Sequence, residues 1–157
     1  MKKIALLSLC LGVTPLVLAA DAPTQTITRA GTQPSAVGPE QNFTGRVRVE
    51  RLVTATPEIN ASAAYVTFEP GARSAWHTHP KGQHLIVTSG VGRTQVFGEP
   101  VQEIRAGDVI WCPPGVKHWH GAAPNSAMTH LTITGQDEQN RNSTWLEKVS
   151  DEQYLSR

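Results

Sequence analysis

Apolar and polar positions along this chain alternate in short runs, which is the period of strands and not of helices. Val47, Val49 and Arg51 alternate with Arg48, Glu50 and Leu52. Residues 63–68 form a second run, closed by the turn Glu69, Pro70, Gly71. Residues 84–88 predict a third strand ended by Gly90, and residues 92–97 a fourth that pairs with it across a short connection. Residues 101–104 follow, then a turn at 105–108, then residues 109–112, stopped by Pro113, Pro114 and Gly115. Residues 117–121 and 128–134 complete the series. Short strands punctuated by Gly and Pro predict a small antiparallel all-β barrel or sandwich. The chain end reads differently. Trp145, Val149 and residues 150–155 predict one or two short helical turns on the barrel exterior, with Asp151 and Glu152 suited to a helix N-terminus.

The first twenty residues change the picture of where the barrel works. Lys2 and Lys3 precede a mostly apolar stretch, residues 4–18, and Ala19 and Ala20 lead into polar sequence at Asp21. That is the pattern of a cleaved secretory signal. The apolar stretch falls short of the ~20 residues of a comfortable membrane span. The expected organisation is a signal over 1–20, an extended N-terminal arm over 21–45, rich in Thr, Gln, Pro, Gly and Ser, and one barrel domain over 46–157. An exported protein, periplasmic or secreted, with no stable membrane insertion after cleavage, is the corresponding expectation. Without the leader, Cys112 is the sole cysteine, expected as a buried and inert thiol. Removing Lys2 and Lys3 from the 14 basic residues leaves 12 against 13 acidic ones, with no basic block, which argues against a nucleic-acid partner.

The chemistry concentrates in histidines. A lone histidine reads as a core or surface residue, but five of the six fall into two tight groups, 77, 79, 84 and 118, 120. His77 and His79 are two apart, so on a strand they share one face. Gln83 follows a turn at Pro80, Lys81, Gly82, which can return its amide to the same interior. His118 arrives from a later strand, set by the stop at residues 113–115. Imidazole nitrogens and an amide oxygen make a mixed set suited to one divalent Mn, Fe, Co, Ni or Zn, with positions left open for substrate or water.

The runs that carry these residues resemble a known family. Residues 71–83, GARSAWHTHPKGQ, continuing to Gly90, look like the first cupin motif, and residues 107–118, GDVIWCPPGVKH, like the second. The resemblance covers about residues 47–133 and implies a jelly-roll β-barrel with metal inside its mouth, usually a homodimer or homotetramer. Two positions depart from the pattern. Gln83 replaces the usual glutamate ligand, and Ala122 stands where an asparagine often ends the second motif. A neutral amide leaves a divalent site near +2 instead of +1, which favours Lewis-acid lyase or isomerase chemistry over oxygenase chemistry.

Longer runs, 68–83, 109–124, 127–131 and 149–154, are similar to the manganese-dependent bacterial cupin hydroxynitrile lyases, and the same segment occurs in cupins related to carboxymuconolactone decarboxylases. That similarity implies His77, His79, Gln83 and His118 as metal ligands, manganese as the favoured ion, and His130 as the acid/base group. His130 shares one strand face with Met128 and Thr132, expected near His118, and histidine moves protons near neutral pH. His120, two residues after His118, is expected to face inward and orient substrate or support a ligand histidine. His84 is expected to point outward, Trp76 and Trp119 to pack away from the metal, and Val66, Phe68, Leu85, Val87 and Leu131 to supply apolar wall or core. The expected activity is metal-assisted cleavage of a small hydroxynitrile or similar C–C bond. Enolisation or decarboxylation of an oxo acid, a metal-dependent dioxygenase or oxidoreductase, and a noncatalytic small-molecule-binding module are the alternatives.

Overall fold

One continuous strand occupies the stretch where two were predicted. In the computed structural model, which describes residues 24–156, residues Gln83–Val96 form a single strand, β7. Gly90 is not a turn but a pivot within it, at φ 79°. A side chain there would collide with the Ala127 carbonyl, so glycine alone suits the position. The pivot lets one strand serve two sheets. Its first half pairs with β9 (Val109–Cys112) and β11 (Met128–Gly135), and its second half with β8 (Gln102–Arg105) and β10 (His118–Ala122).

The remaining strands extend both sides. β3 (Val47–Val53) and β4 (Ala61–Phe68) continue the first sheet from β11, and β1 (Ser35–Val37) closes its edge. β5 (Arg73–Ser74), β6 (His77–Thr78), β2 (Phe43–Thr44) and β12 (Thr144–Trp145) build the second sheet around β10. All pairings are antiparallel, and the curled sheet makes the all-β jelly-roll barrel. Within the stretch read as an arm, β1 and β2 pair with the barrel strands β3 and β5. The residues of the proposed leader lie outside the described ones. Among the described residues, no helix is long and apolar enough to cross a membrane.

Strand alternation turns Val47, Val66, Phe68, Val87 and Met128 into the core between the sheets, joined by Phe43 and Ile104. Burying a residue such as Phe68 stabilises the fold by about 1.5–3 kcal/mol. Leu131 does not join them. His130 takes the inward position, so Leu131 falls on the opposite face of β11, where it pairs with Tyr65 and Ile86. A second cluster forms where Trp76, Trp119, Val149 and Tyr154 meet. It lies under α1 (Asp151–Leu155), which starts at a capping box formed by Ser150 and Gln153. Arg73 anchors this end: its guanidinium donates to the Val149 carbonyl from Nε (3.2 Å) and Nη2 (3.0 Å), and lies over the Tyr154 ring. The Tyr154 hydroxyl donates to the Ala122 carbonyl at 2.7 Å. The C-terminal segment thereby braces β10, the strand that carries His118 and His120. Trp145, predicted in the helical end, is instead a strand residue paired with His77.

Candidate metal centre and active site

Two turns bring the first site residues together. Gly82, at φ 78°, ends the loop after His79 and starts β7 at Gln83. Gly115, at φ 76°, closes the Pro113–Pro114 turn, and its N–H donates to the His79 carbonyl at 2.9 Å. The two motif loops are therefore tied to each other. β10 then starts at His118, whose register partner on β6 is His77. The ligand atoms of His77, His79 and His118 all lie within 4.8 Å of one another, and all three side chains are buried.

Each ring has its orientation fixed from behind. Nδ1 of His77 faces the Ala75 carbonyl (2.9 Å), Nδ1 of His79 the Asn142 carbonyl (2.6 Å), and Nδ1 of His118 the Val116 carbonyl (2.9 Å). A carbonyl only accepts, so each Nδ1 carries the proton and each Nε2 keeps its lone pair. Nε2 of His79 and of His118 are buried with no partner, and so is Oε1 of Gln83. The Gln83 amide is oriented by its own donation from Nε2 to the Thr134 hydroxyl at 3.0 Å. Buried acceptors left unpaired are costly unless something satisfies them. Three imidazole lone pairs and a nearby amide oxygen fit a divalent cation, and His77, His79 and His118 form a group able to hold one. Burial holds His77 well below the usual histidine pKa, with the neighbouring His118 and His79 adding to the effect. It pushes His118 down to about 4 and lowers His79 as well. Neutral rings at neutral pH are the protonation state a metal requires.

His120 and His130 form a second pair beside this group. His120 shares its face with His118, its ring centroid 5.2 Å from that of His77. Its Nδ1 lies 3.1 Å from Nε2 of His130. His130 is wholly buried, packed against Phe68, and its near neighbour is His120, not His118 as expected from the strand pattern. Burial pushes His130 down to about 4 and His120 well below the usual range, the latter also through the charges of His130 and His77.

A cavity of about 490 Å³ opens in front of these groups. His77, His79, Gln83 and His120 line it, whereas His130 does not. His118 instead borders a smaller cavity of about 210 Å³ together with Cys112. Burial raises the Cys112 thiol to about 12, in keeping with an inert side chain. His84 points away and stacks on Trp111, with ring centroids 4.5 Å apart. Several wall residues escaped the sequence reading. Trp145 lines the cavity against His77, and Asn142, which holds His79, also lines it. Neither has a local signature, because each reaches the site through the pairing of β12 with β6. Phe43, from the stretch read as an arm, also lines the cavity.

The same architecture appears in other proteins. The Cupin domain family model matches residues 64–134. Over 128 residues the chain is 54% identical to an (R)-mandelonitrile lyase of Granulicella tundricola, an alignment that covers 82% of this chain and 97% of the relative. The chain belongs to the cupin family. A cupin-like protein of Thermotoga maritima shares its structure with a TM-score of 0.70 at 41% identity, over 83% of this chain and 95% of the other. A polyketide cyclase of Streptomyces resistomycificus superposes with a TM-score of 0.64 at 12% identity, over 83% of this chain and 91% of the other, and shares the fold alone. A shared fold does not fix the reaction, so function has to be argued from the site.

Proposed function

We propose that this cupin is a metal-dependent lyase that cleaves a small hydroxynitrile into an aldehyde and hydrogen cyanide, with His77, His79, Gln83 and His118 holding one divalent ion. The observation that carries the reading is the set of buried, unpartnered acceptors on His79, His118 and Gln83, next to the equally unpartnered Nε2 of His120. The mandelonitrile lyase relative supports the choice of reaction. When bound, the ion supplies Lewis acidity toward the oxygen on the reacting carbon. Manganese is favoured by the family resemblance, and Fe, Co, Ni or Zn suit the same donors.

The residues of the chain divide the remaining work. His120 and His130 share one proton between Nδ1 and Nε2. With that proton on His120, its Nε2 is free to accept. Nε2 takes the hydroxyl proton of the cyanohydrin as the carbonyl forms, and the pair of electrons from the C–C bond leaves with cyanide. The same Nε2 returns the proton to cyanide, so the enzyme ends as it began. His130, first expected as the proton acceptor, stands behind His120 and supports the imidazolium that forms there. The apolar wall, including Phe43, Val66 and Trp145, keeps water from the reacting carbon.

We further propose that the protein is exported and works as a homodimer or homotetramer. Cyanide release from mandelonitrile by the purified protein tests the lyase reading. Release that depends on added metal and on His120 supports it. Oxygen uptake with an iron-loaded protein would favour the oxidoreductase alternative, and the absence of any turnover a binding module.

A further inference from the structure

Among the described residues that line the main cavity, Arg51 alone carries a full charge, and no Asp or Glu is present. With Gln83 in place of a carboxylate, nothing in the wall offsets a cation. Arg51 has no ion-pair partner among the described residues. Its direction is set by the sheet. Arg51 pairs with Ala64, which pairs with Thr132, which pairs with Leu85, so the four form one row across β3, β4, β11 and β7. Ala64 and Thr132 in that row line the cavity, and Leu85 is buried in the interior. Arg51 shares its strand face with Val47 and Val49, and a register shift follows it before Val53, which also lines the cavity.

Arg51 and the candidate ligands Gln83, His77 and His79 therefore stand on different strands of one cavity wall. Arg51 stands three strand spacings from Gln83, roughly 14 Å along the curled sheet. By register, Ala64, Thr132, Thr134 and Ser62 lie between them, and Val49, Val66 and Phe43 belong to the same cavity wall. A molecule matching this arrangement carries the reacting oxygen at one end and an anion at the other.

We infer that Arg51 is a specificity-determining residue that receives a carboxylate remote from the reacting carbon. The preferred substrates are then hydroxynitriles, and the aldehydes they yield, whose aryl or short acyl body bears an acid group. This substrate class rests on the lyase reading, but the anion site itself does not. Arg51 suits the task because its planar fork binds a carboxylate through two parallel hydrogen bonds.

Calorimetric binding of benzaldehyde and of 4-carboxybenzaldehyde to the metal-loaded protein tests the inference. The wild type is expected to bind the carboxylated compound about fivefold tighter, the upper range for a partly exposed ion pair. The preference shrinks as salt rises. Arg51→Gln abolishes it, Arg51→Lys retains part of it, and benzaldehyde affinity stays the same in all three proteins. No preference in the wild type overturns the inference, as does a preference that survives in Arg51→Gln, because the carboxylate would then sit elsewhere, at the metal. A protein that keeps the Arg51-dependent preference yet releases no cyanide from either cyanohydrin overturns the lyase reading alone.

Discussion

Nε2 of His130 lies 3.1 Å from Nδ1 of His120, and of the two rings only that of His120 lines the main cavity. Depth therefore separates two histidines that the strand pattern presents as equivalent inward residues. Replacing His120 with Ala removes the group proposed to face substrate, and kcat is expected to fall by about 10²–10⁴-fold with metal content unchanged. His130→Ala acts only through its neighbour, so the expected loss is smaller, about 10- to 100-fold. His130→Gln, whose amide oxygen can accept from His120 Nδ1, recovers part of it. Steady-state rates beside metal analysis check the order. A His120→Ala protein with near-normal kcat contradicts it.

Gln83 is the ligand whose chemistry departs from the family pattern. Its amide donates to Thr134, which keeps Oε1 free. Gln83→Glu is expected to retain the ion, because a carboxylate binds divalent metals at least as well. It also lowers the positive charge of the centre, so kcat falls by at least about tenfold and inhibition by small anions weakens. Metal content, turnover and azide inhibition of the variant are the measurements. Unchanged turnover would remove the charge argument.

Acid should unfold the metal-free protein early. His118 and His130 have folded pKa values pushed down to about 4, and His77, His79 and His120 are also lowered, all chiefly by burial. In the unfolded chain these rings titrate near 6.5. Between those values the unfolded state binds more protons, so stability rises with pH. It is full above about 6.5 and falls as the pH drops toward about 4. Denaturant titrations of the apo protein across that window are expected to show the loss, with proton uptake on unfolding. A flat profile contradicts the neutral buried cluster.

The barrel was legible in the sequence wherever alternation and Gly or Pro turns coincide. β9 matches its expected range, and β4 and β11 extend theirs by a residue or two. The failure at residues 84–97 has a physical cause. A glycine with positive φ marks a turn and a mid-strand pivot alike, and only the partners on either side distinguish them. The grouping of His77, His79 and His118 was legible because they lie next to turns with their own signatures. Trp145, Asn142 and Arg51 carry no local signature of the wall, since their relation to it depends on pairings across the sheet. The depth of His130 behind His120 was also hidden, because strand parity gives the face of a residue but not how far a cavity reaches.

The outer face of the first sheet carries several apolar side chains side by side. Tyr65, Leu131, Ile86 and Val109 form one row across four strands, and Ile133, His84 and Trp111 form the next. Val109 is 64% and Trp111 49% exposed. A contiguous patch of this kind suits an interface between subunits. Sedimentation of the wild type is expected to give a dimer or tetramer, and Val109→Lys with Trp111→Lys a monomer. An oligomer that ignores both substitutions places its interface elsewhere.

In the proposed enzyme, three histidines and one glutamine hold a single ion on which turnover depends. Elemental analysis of the purified protein and of His118→Ala, paired with mandelonitrile cleavage before and after chelation, tests it most directly. About one transition-metal ion per chain is expected in the wild type, little in His118→Ala, and cyanide release that disappears with chelation and returns with metal. Cyanide release at full rate from a protein stripped of metal would contradict it.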